Sequence, residues 1–216
     1  MKRSLPGSAS RTAGGAAPDS GADLPGNWRA VFLDRDGVLM EDRGYVHRIE
    51  DVALLPGVGT ALRRLQDAGF GLFVVTNQSG IGRGYYRVED LQRVNEHLAG
   101  ELARAGVHVI RVYVAPEAPE QPSRGRKPSP QFLFDARDEF GLDLAHSYMI
   151  GDKRSDLECG WRAGVKCSLL VRTGYGAQTE SDLGNRLGPL RVFADLPAAV
   201  EWILGDRVRD RGLQRT

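Results

Sequence analysis

Cysteine is nearly absent. Only Cys159 and Cys167 carry thiols among 216 residues. Their spacing suits neither a disulfide framework nor a zinc cluster, so a reducing, cytoplasmic setting is expected. No apolar run approaches the length of a membrane span, and no membrane partner is expected. Neither sign of charge dominates: 29 basic against 28 acidic residues leave a net charge of +1, which gives no general electrostatic case for nucleic acid. No G-x-x-x-x-G-K-[ST] loop occurs. The glycines of "GIGRG" (80–84) do not join a strand to an immediate helix, so this stretch reads as a flexible surface loop rather than a nucleotide cradle. Internal repeats are also missing.

The first 26 residues lack aromatic side chains and hold almost no large apolar ones. Such a segment cannot offset its ordering entropy by burial, so 1–26 is expected to be a disordered tail, without the continuous apolar centre of a secretory signal. Residues 206–216 are again polar, and a frayed end is expected after a last helix at 197–204. Between these ends lies one domain, 27–205, long enough to bury a core. Strand-like runs at 29–33, 72–76, 109–115, 148–151, 168–171 and 191–194 alternate with helical patterns at 57–68, 88–105, 129–140 and 153–163. Strand–helix alternation predicts an α/β fold, a parallel sheet with helices on both faces. Ligands on such sheets bind beyond the carboxyl ends of the strands.

Chemistry-bearing residues recur at those ends. "AVFLDRDGV" places Asp34 and Asp36 after an apolar strand, where they share a side if the backbone stays extended. Two such carboxylates form either an ordinary strand-end turn with Gly37 or a metal-bound catalytic pair. Thr76 and Asn77 close the second strand, as a phosphate-oxygen site or through strand propensity alone. Pro128 keeps Lys127 out of the helix that Ser129 caps and Pro130 begins, so Lys127 is an exposed loop lysine or an anion-binding one. "SYMIGDKRSD" ends a strand at Asp152; Asp156 shares its helical face, as a cap or as part of a site. Each piece has a plain structural explanation, but their joint order assembles a nucleophile, a metal site and a phosphate cradle.

With "FLDRDGV", "GYVH", "LPGV", "VVTNQSGIGRG", "RKP" and "SYMIGDKRSD", the chain resembles the haloacid dehalogenase superfamily of phosphohydrolases over residues 30–200. The likeness is to its capless branch, the D-glycero-D-manno-heptose 1,7-bisphosphate 7-phosphatase and histidinol phosphatase family, with "DRGYVH" and "TNQSGIGRG" more similar to the heptose enzymes. The resemblance implies a three-layer Rossmann-like sheet without a large cap and Mg²⁺-dependent hydrolysis of a sugar phosphate through an aspartyl phosphate. It implies Asp34 as nucleophile, Asp36 as general acid and base, and Thr76 and Lys127 as stabilisers of the phosphoryl oxygens. The metal would be held by Asp34, the backbone carbonyl of Asp36 and Asp152, with Asp156 supporting from behind. Substrate contacts would come from Asp42, Arg43, Gly44 and Tyr45, from Asn77, Gln78 and Ser79, and from Arg126 and Lys153, two cations suited to a second phosphate. A monomer is expected.

The chain departs from its relatives in one loop. Many of them bind zinc before "RKP" through three Cys and one His. The aligned positions here are Ala115, Glu117, Ser123 and Gly125, so no zinc is expected, and Pro116, Pro119, Pro122 and Pro128 are expected to stiffen the loop instead. Histidinol phosphate or another small sugar phosphate is the nearest alternative substrate. A receiver-like signalling module also uses Asp, Thr and Lys on a parallel sheet, but places its reactive Asp after the third strand rather than the first.

Overall fold

The computed structural model describes residues 28–184 and 191–213; the expected tail at 1–26 lies outside them. Six strands form one fully parallel sheet in the order β3-β2-β1-β4-β5-β6. In chain order the elements are β1 (Arg29–Leu33), α1 (Val58–Asp67), β2 (Phe70–Asn77), α2 (Ser79–Gly82), α3 (Val88–Arg104), β3 (Arg111–Ala115), α4 (Gln131–Phe140), β4 (Tyr148–Gly151), α5 (Arg154–Ala163), β5 (Cys167–Val171), α6 (Gly176–Leu183), β6 (Arg191–Phe193) and α7 (Leu196–Leu213).

The strand sequences carry no polar alternation because both faces are covered. Side chains of β1 alternate between two cores: Val31 and Leu33 enter one, Ala30 and Phe32 the other. The same split recurs in β2, with Leu72 and Val74 opposite Phe73 and Val75. Helices α1, α3 and α7 close the first core through residues such as Leu62, Leu98 and Ile203, while α4 and α5 close the second through Leu133 and Cys159. A strand buried on both faces reads as a continuous apolar run, and this layering sends every strand's carboxyl end to one edge.

Three expectations change. The last helix continues well past 204, to Leu213, so the stretch expected to fray is helical as far as that residue. "GIGRG" is not a free loop: 79–82 make one helical turn, and the Gly82 N–H donates to the Pro116 carbonyl at 2.8 Å. A Cβ on Gly82 would stand 2.4 Å from the Ala118 nitrogen, so glycine is needed there for close packing. Ser129 lies one residue outside the cap of α4, which is Pro130; its hydroxyl donates to the Arg124 carbonyl at 2.9 Å.

Candidate active site

The carboxyl ends of β1, β2 and β4 and the loop before α4 meet at a cleft of about 320 Å³. Asp34, Asp36, Thr76, Lys127 and Asp156 line its inner part. Asp152 lies just beneath, fully buried. Asn77, Gln78, Ser79, Arg126 and Lys153 are also on its wall, as are Asp42, Gly44 and Tyr45. Arg43 is not: it is exposed and paired with Glu41 at 2.7 Å.

Lys127 organises the floor. Its ammonium stands 2.8 Å from Asp34 Oδ1, 2.7 Å from Asp156 Oδ1 and 2.6 Å from the Val75 carbonyl. The Val75 carbonyl accepts a hydrogen bond from it, and the two carboxylates flank it as ion-pair partners. Burial opposes its charge, but Asp156 and Asp34 hold the lysine pKa above its ordinary value. Burial would raise the Asp34 carboxyl, and Lys127 and then Lys153 hold it below the usual range instead. Asn77 fixes Lys127 from the other side: its amide donates to the Lys127 carbonyl at 3.1 Å and accepts the Lys127 N–H at 2.9 Å. Asn77 therefore clamps the loop to the end of β2.

Asp152 is held differently. Its Oδ2 accepts the Tyr175 N–H at 2.8 Å, and Lys153 Nζ comes no closer than 3.4 Å. Gly37 and Gly174 press on that oxygen from two sides; a Cβ on either would sit 2.4 or 2.3 Å from it. Both glycines have positive φ, +85° and +58°, which a side chain would resist. Thr179 donates to the Asp152 carbonyl at 2.8 Å and Thr173 to that of Gly37 at 2.6 Å. Burial, then the Asp34 charge, push the Asp152 carboxyl up to about 7, against Lys153. Asp34, Asp152 and Asp156 bring one oxygen each within 4.8 Å of one another. Asp156 is largely committed, with Oδ1 on Lys127 and Oδ2 on the Lys153 N–H at 2.9 Å. A buried, all-oxygen set short of positive charge fits a hard divalent cation such as Mg²⁺.

Asp36 has its own cation. Arg35 folds back on it, with Nε 3.1 Å from Oδ2 and Nη2 3.0 Å from Oδ1. Gln78 Nε2 adds a donor to Oδ2 at 2.9 Å and another to Thr76 Oγ1 at 2.8 Å. The Thr76 hydroxyl thus keeps its own proton to donate. The sequence reading missed Arg35, Gly174, Tyr175 and Thr179. For Arg35 the clue was available: an arginine at the end of a buried strand seldom goes inside without a partner. For the others no clue existed, because they act by packing on Asp152 from far along the chain.

The outer wall is polar and aromatic. Lys153 reaches Asp42 at 3.0 Å and lies 4.8 Å from the Tyr175 ring centre, so it belongs to the end of the cleft occupied by Asp34 and Asp152. Arg126 lies further out and donates to the Glu117 carbonyl at 3.0 Å. Burial and then the neighbouring Arg83 hold its pKa below the ordinary value. Its loop is clasped by Ser123, whose hydroxyl donates to Glu117 Oε2 at 2.7 Å and accepts the Arg126 N–H at 3.1 Å. Glu117 and Ser123, two of the four positions where the sequence expectation placed no zinc ligand, thus bond to each other.

Comparison with known proteins follows the same lines. The HAD-hydrolase-like family model matches residues 125–199. The D-glycero-beta-D-manno-heptose-1,7-bisphosphate 7-phosphatase of Photorhabdus laumondii is 40% identical over 181 residues, 81% of this chain and 96% of that one. The enzyme of the same name from Haemophilus ducreyi is 44% identical over 161 residues, covering 71% and 88%. Among solved structures, the D,D-heptose 1,7-bisphosphate phosphatase of B. bronchiseptica, complexed with magnesium and phosphate, aligns with a TM-score of 0.77 at 31% identity, covering 82% of this chain and 99% of that one. Among the described residues no helix is long and apolar enough to cross a membrane.

Proposed function

The chain belongs to the heptose-1,7-bisphosphate 7-phosphatase family of HAD-like hydrolases, and from that premise we propose that its cleft removes the 7-phosphate of D-glycero-D-manno-heptose 1,7-bisphosphate. The observation that carries this reading is Asp34, held at 2.8 Å by Lys127 beside buried Asp152 at the carboxyl edge of the sheet.

Asp34 attacks phosphorus in line, the bond to the sugar oxygen breaks, and Asp36 delivers its proton to the departing alkoxide. Asp36 then takes a proton from water, which attacks the phosphorus of phospho-Asp34, releasing inorganic phosphate and restoring the carboxylate. Lys127 and the Thr76 hydroxyl stabilise the phosphoryl oxygens as charge redistributes. Asp34, Asp152 and the backbone carbonyl of Asp36 would hold Mg²⁺, which when bound neutralises part of the phosphate charge that a carboxylate nucleophile must approach.

Lys153 is committed to Asp42 and the reacting end, so the second phosphate falls to Arg126. Asp42, Gly44 and Tyr45 shape the sugar's side of the cleft. The free thiols Cys159 and Cys167 accord with a reducing cytoplasm. Steady-state kinetics with the bisphosphate and with histidinol phosphate test the assignment: kcat/KM is expected to favour the bisphosphate, and the reverse order would overturn it. Arg126→Ala is expected to raise KM for the bisphosphate more than for a monophosphate.

A further inference from the structure

Arg35 is the largest fully buried side chain among the described residues. It sits inside the domain, and its side-chain hydrogen bonds go to Asp36 and Asn95 rather than to Thr76 or Lys127. Each of its three guanidinium nitrogens has a partner. Nε and Nη2 grip the Asp36 carboxylate at 3.1 and 3.0 Å, and Nη1 donates to Asn95 Oδ1 on α3 at 3.0 Å. From a different part of the chain Gln78 donates to Asp36 Oδ2, and Gln78 Oε1 accepts the Tyr86 hydroxyl at 2.7 Å. Gln78 is itself buried. Asp36 is therefore tied to two separate elements: α3 through Arg35 and Asn95, and the turn before α3 through Gln78 and Tyr86.

We propose that Arg35 and Asn95, with Gln78, are positioning residues that fix the Asp36 carboxylate in the one rotamer from which it reaches the leaving oxygen. The geometry supports this over simple charge compensation. A lone salt bridge would leave the carboxylate free to turn about its terminal bond. A planar guanidinium on both oxygens plus a third donor from another direction removes that freedom. Anchoring Arg35 at Asn95 then sets where the plane stands relative to α3. This inference rests on the reading of Asp36 as general acid and base.

The test is a double-mutant cycle read in kcat and KM for the bisphosphate, with thermal melts confirming that each variant is folded. Asp36→Asn should lower kcat roughly 10²–10⁴-fold. Arg35→Lys, which keeps the charge but loses the planar fork, should lower kcat about 10²-fold with KM little changed, the cost of a small misplacement of a reacting group. Asn95→Leu, remote from the cleft, should lower kcat by roughly tenfold on the same ground, and Asn95→Asp, which keeps an acceptor, should restore it towards the parent value. In the Asp36→Asn background either loss should shrink to less than about twofold, because a positioning residue has nothing left to position. If Arg35→Lys does not fold, Asn95→Leu carries the cycle alone. Losses that multiply with a damaging Asp36→Asn, or an unchanged kcat in Asn95→Leu, would overturn the clamp and leave the proposed function standing. An Asp36→Asn enzyme with intact turnover would overturn both.

Discussion

Acidification should strip the metal from this site in a way that the structure makes quantitative. Asp152 is fully buried, so its charge is not screened by solvent. Without an ion its carboxyl lies at about 7 against an ordinary 3.8, through burial first and the Asp34 charge second. Mg²⁺ must displace that proton to bind. Below pH 7 its apparent affinity should therefore fall about tenfold per pH unit, roughly 10²-fold and about 3 kcal/mol between pH 7 and pH 5. The sign for stability is fixed too. The folded, ion-free chain holds a proton that the unfolded chain releases above 3.8, so this contribution is fully present below about pH 4 and is lost as pH rises through about 7. The rise from 3.8 to about 7 corresponds to roughly 4 kcal/mol. Asp156, also pushed up by burial, adds in the same direction; Asp34, pushed down, acts only below that window. Calorimetric titration of the metal-free protein with Mg²⁺ at pH 8, 7, 6 and 5 reads the affinity directly, and thermal melts with and without Mg²⁺ read the stabilisation. The Mg²⁺-induced rise in Tm should grow from pH 5 to pH 8. Equal dissociation constants at pH 7 and pH 5 would refute the reasoning, since they would mean that no proton is exchanged for the ion.

Two further outcomes follow from the same residues. Asp34→Asn should lower turnover by at least about 10³-fold, because an amide is a poor nucleophile; near-parental turnover in that variant rules out the aspartyl-phosphate route. Metal analysis of protein purified without a metal-binding tag should find no stoichiometric zinc, and a zinc-selective chelator should leave Tm unchanged, because the loop carrying Arg126 is clasped by Glu117 and Ser123; one tightly held zinc per chain would contradict this.

Much of the fold was legible because the sheet is buried on both faces. Continuous apolar runs such as Ala30–Leu33 and Leu72–Val75 can be little else, and helices α1, α3, α4 and α5 announce themselves by apolar spacing and by glycines such as Gly141 and Gly164, which follow their last turns in the left-handed conformation. The elements left unread are those whose sequence lacks such contrast. Helix α6 buries only Gly176 and Leu183, too few to leave a stripe. Helix α7 extends to Leu213 through residues with no apolar periodicity to mark its end. In the cleft, the acids and Lys127 were legible because strand ends are where chemistry gathers on such a sheet. The way they divide their charges was not, since Lys127, Asp34 and Asp156 meet only across sequence separations of 93 and 29 residues.

That division bears on what the metal does. Two aspartates one residue apart suggest a shared cation, but the structure gives each carboxylate its own: Lys127 for Asp34 and Arg35 for Asp36. The requirement for an ion falls instead between Asp34 and Asp152, whose carboxylate is met, among the described residues, by Lys153 at 3.4 Å and a backbone N–H. The choice of cation follows the chemistry asked of each acid. In the proposed mechanism Asp36 gains and loses a proton, and the planar guanidinium of Arg35 can hold both of its oxygens in place while it does so. In the proposed mechanism Asp34 carries and sheds a phosphoryl group, and Lys127, which also donates to the Val75 carbonyl and pairs with Asp156, can stay anchored while that partner's charge changes. Asp152 does neither, so it can remain the acid whose charge is left for Mg²⁺ to satisfy.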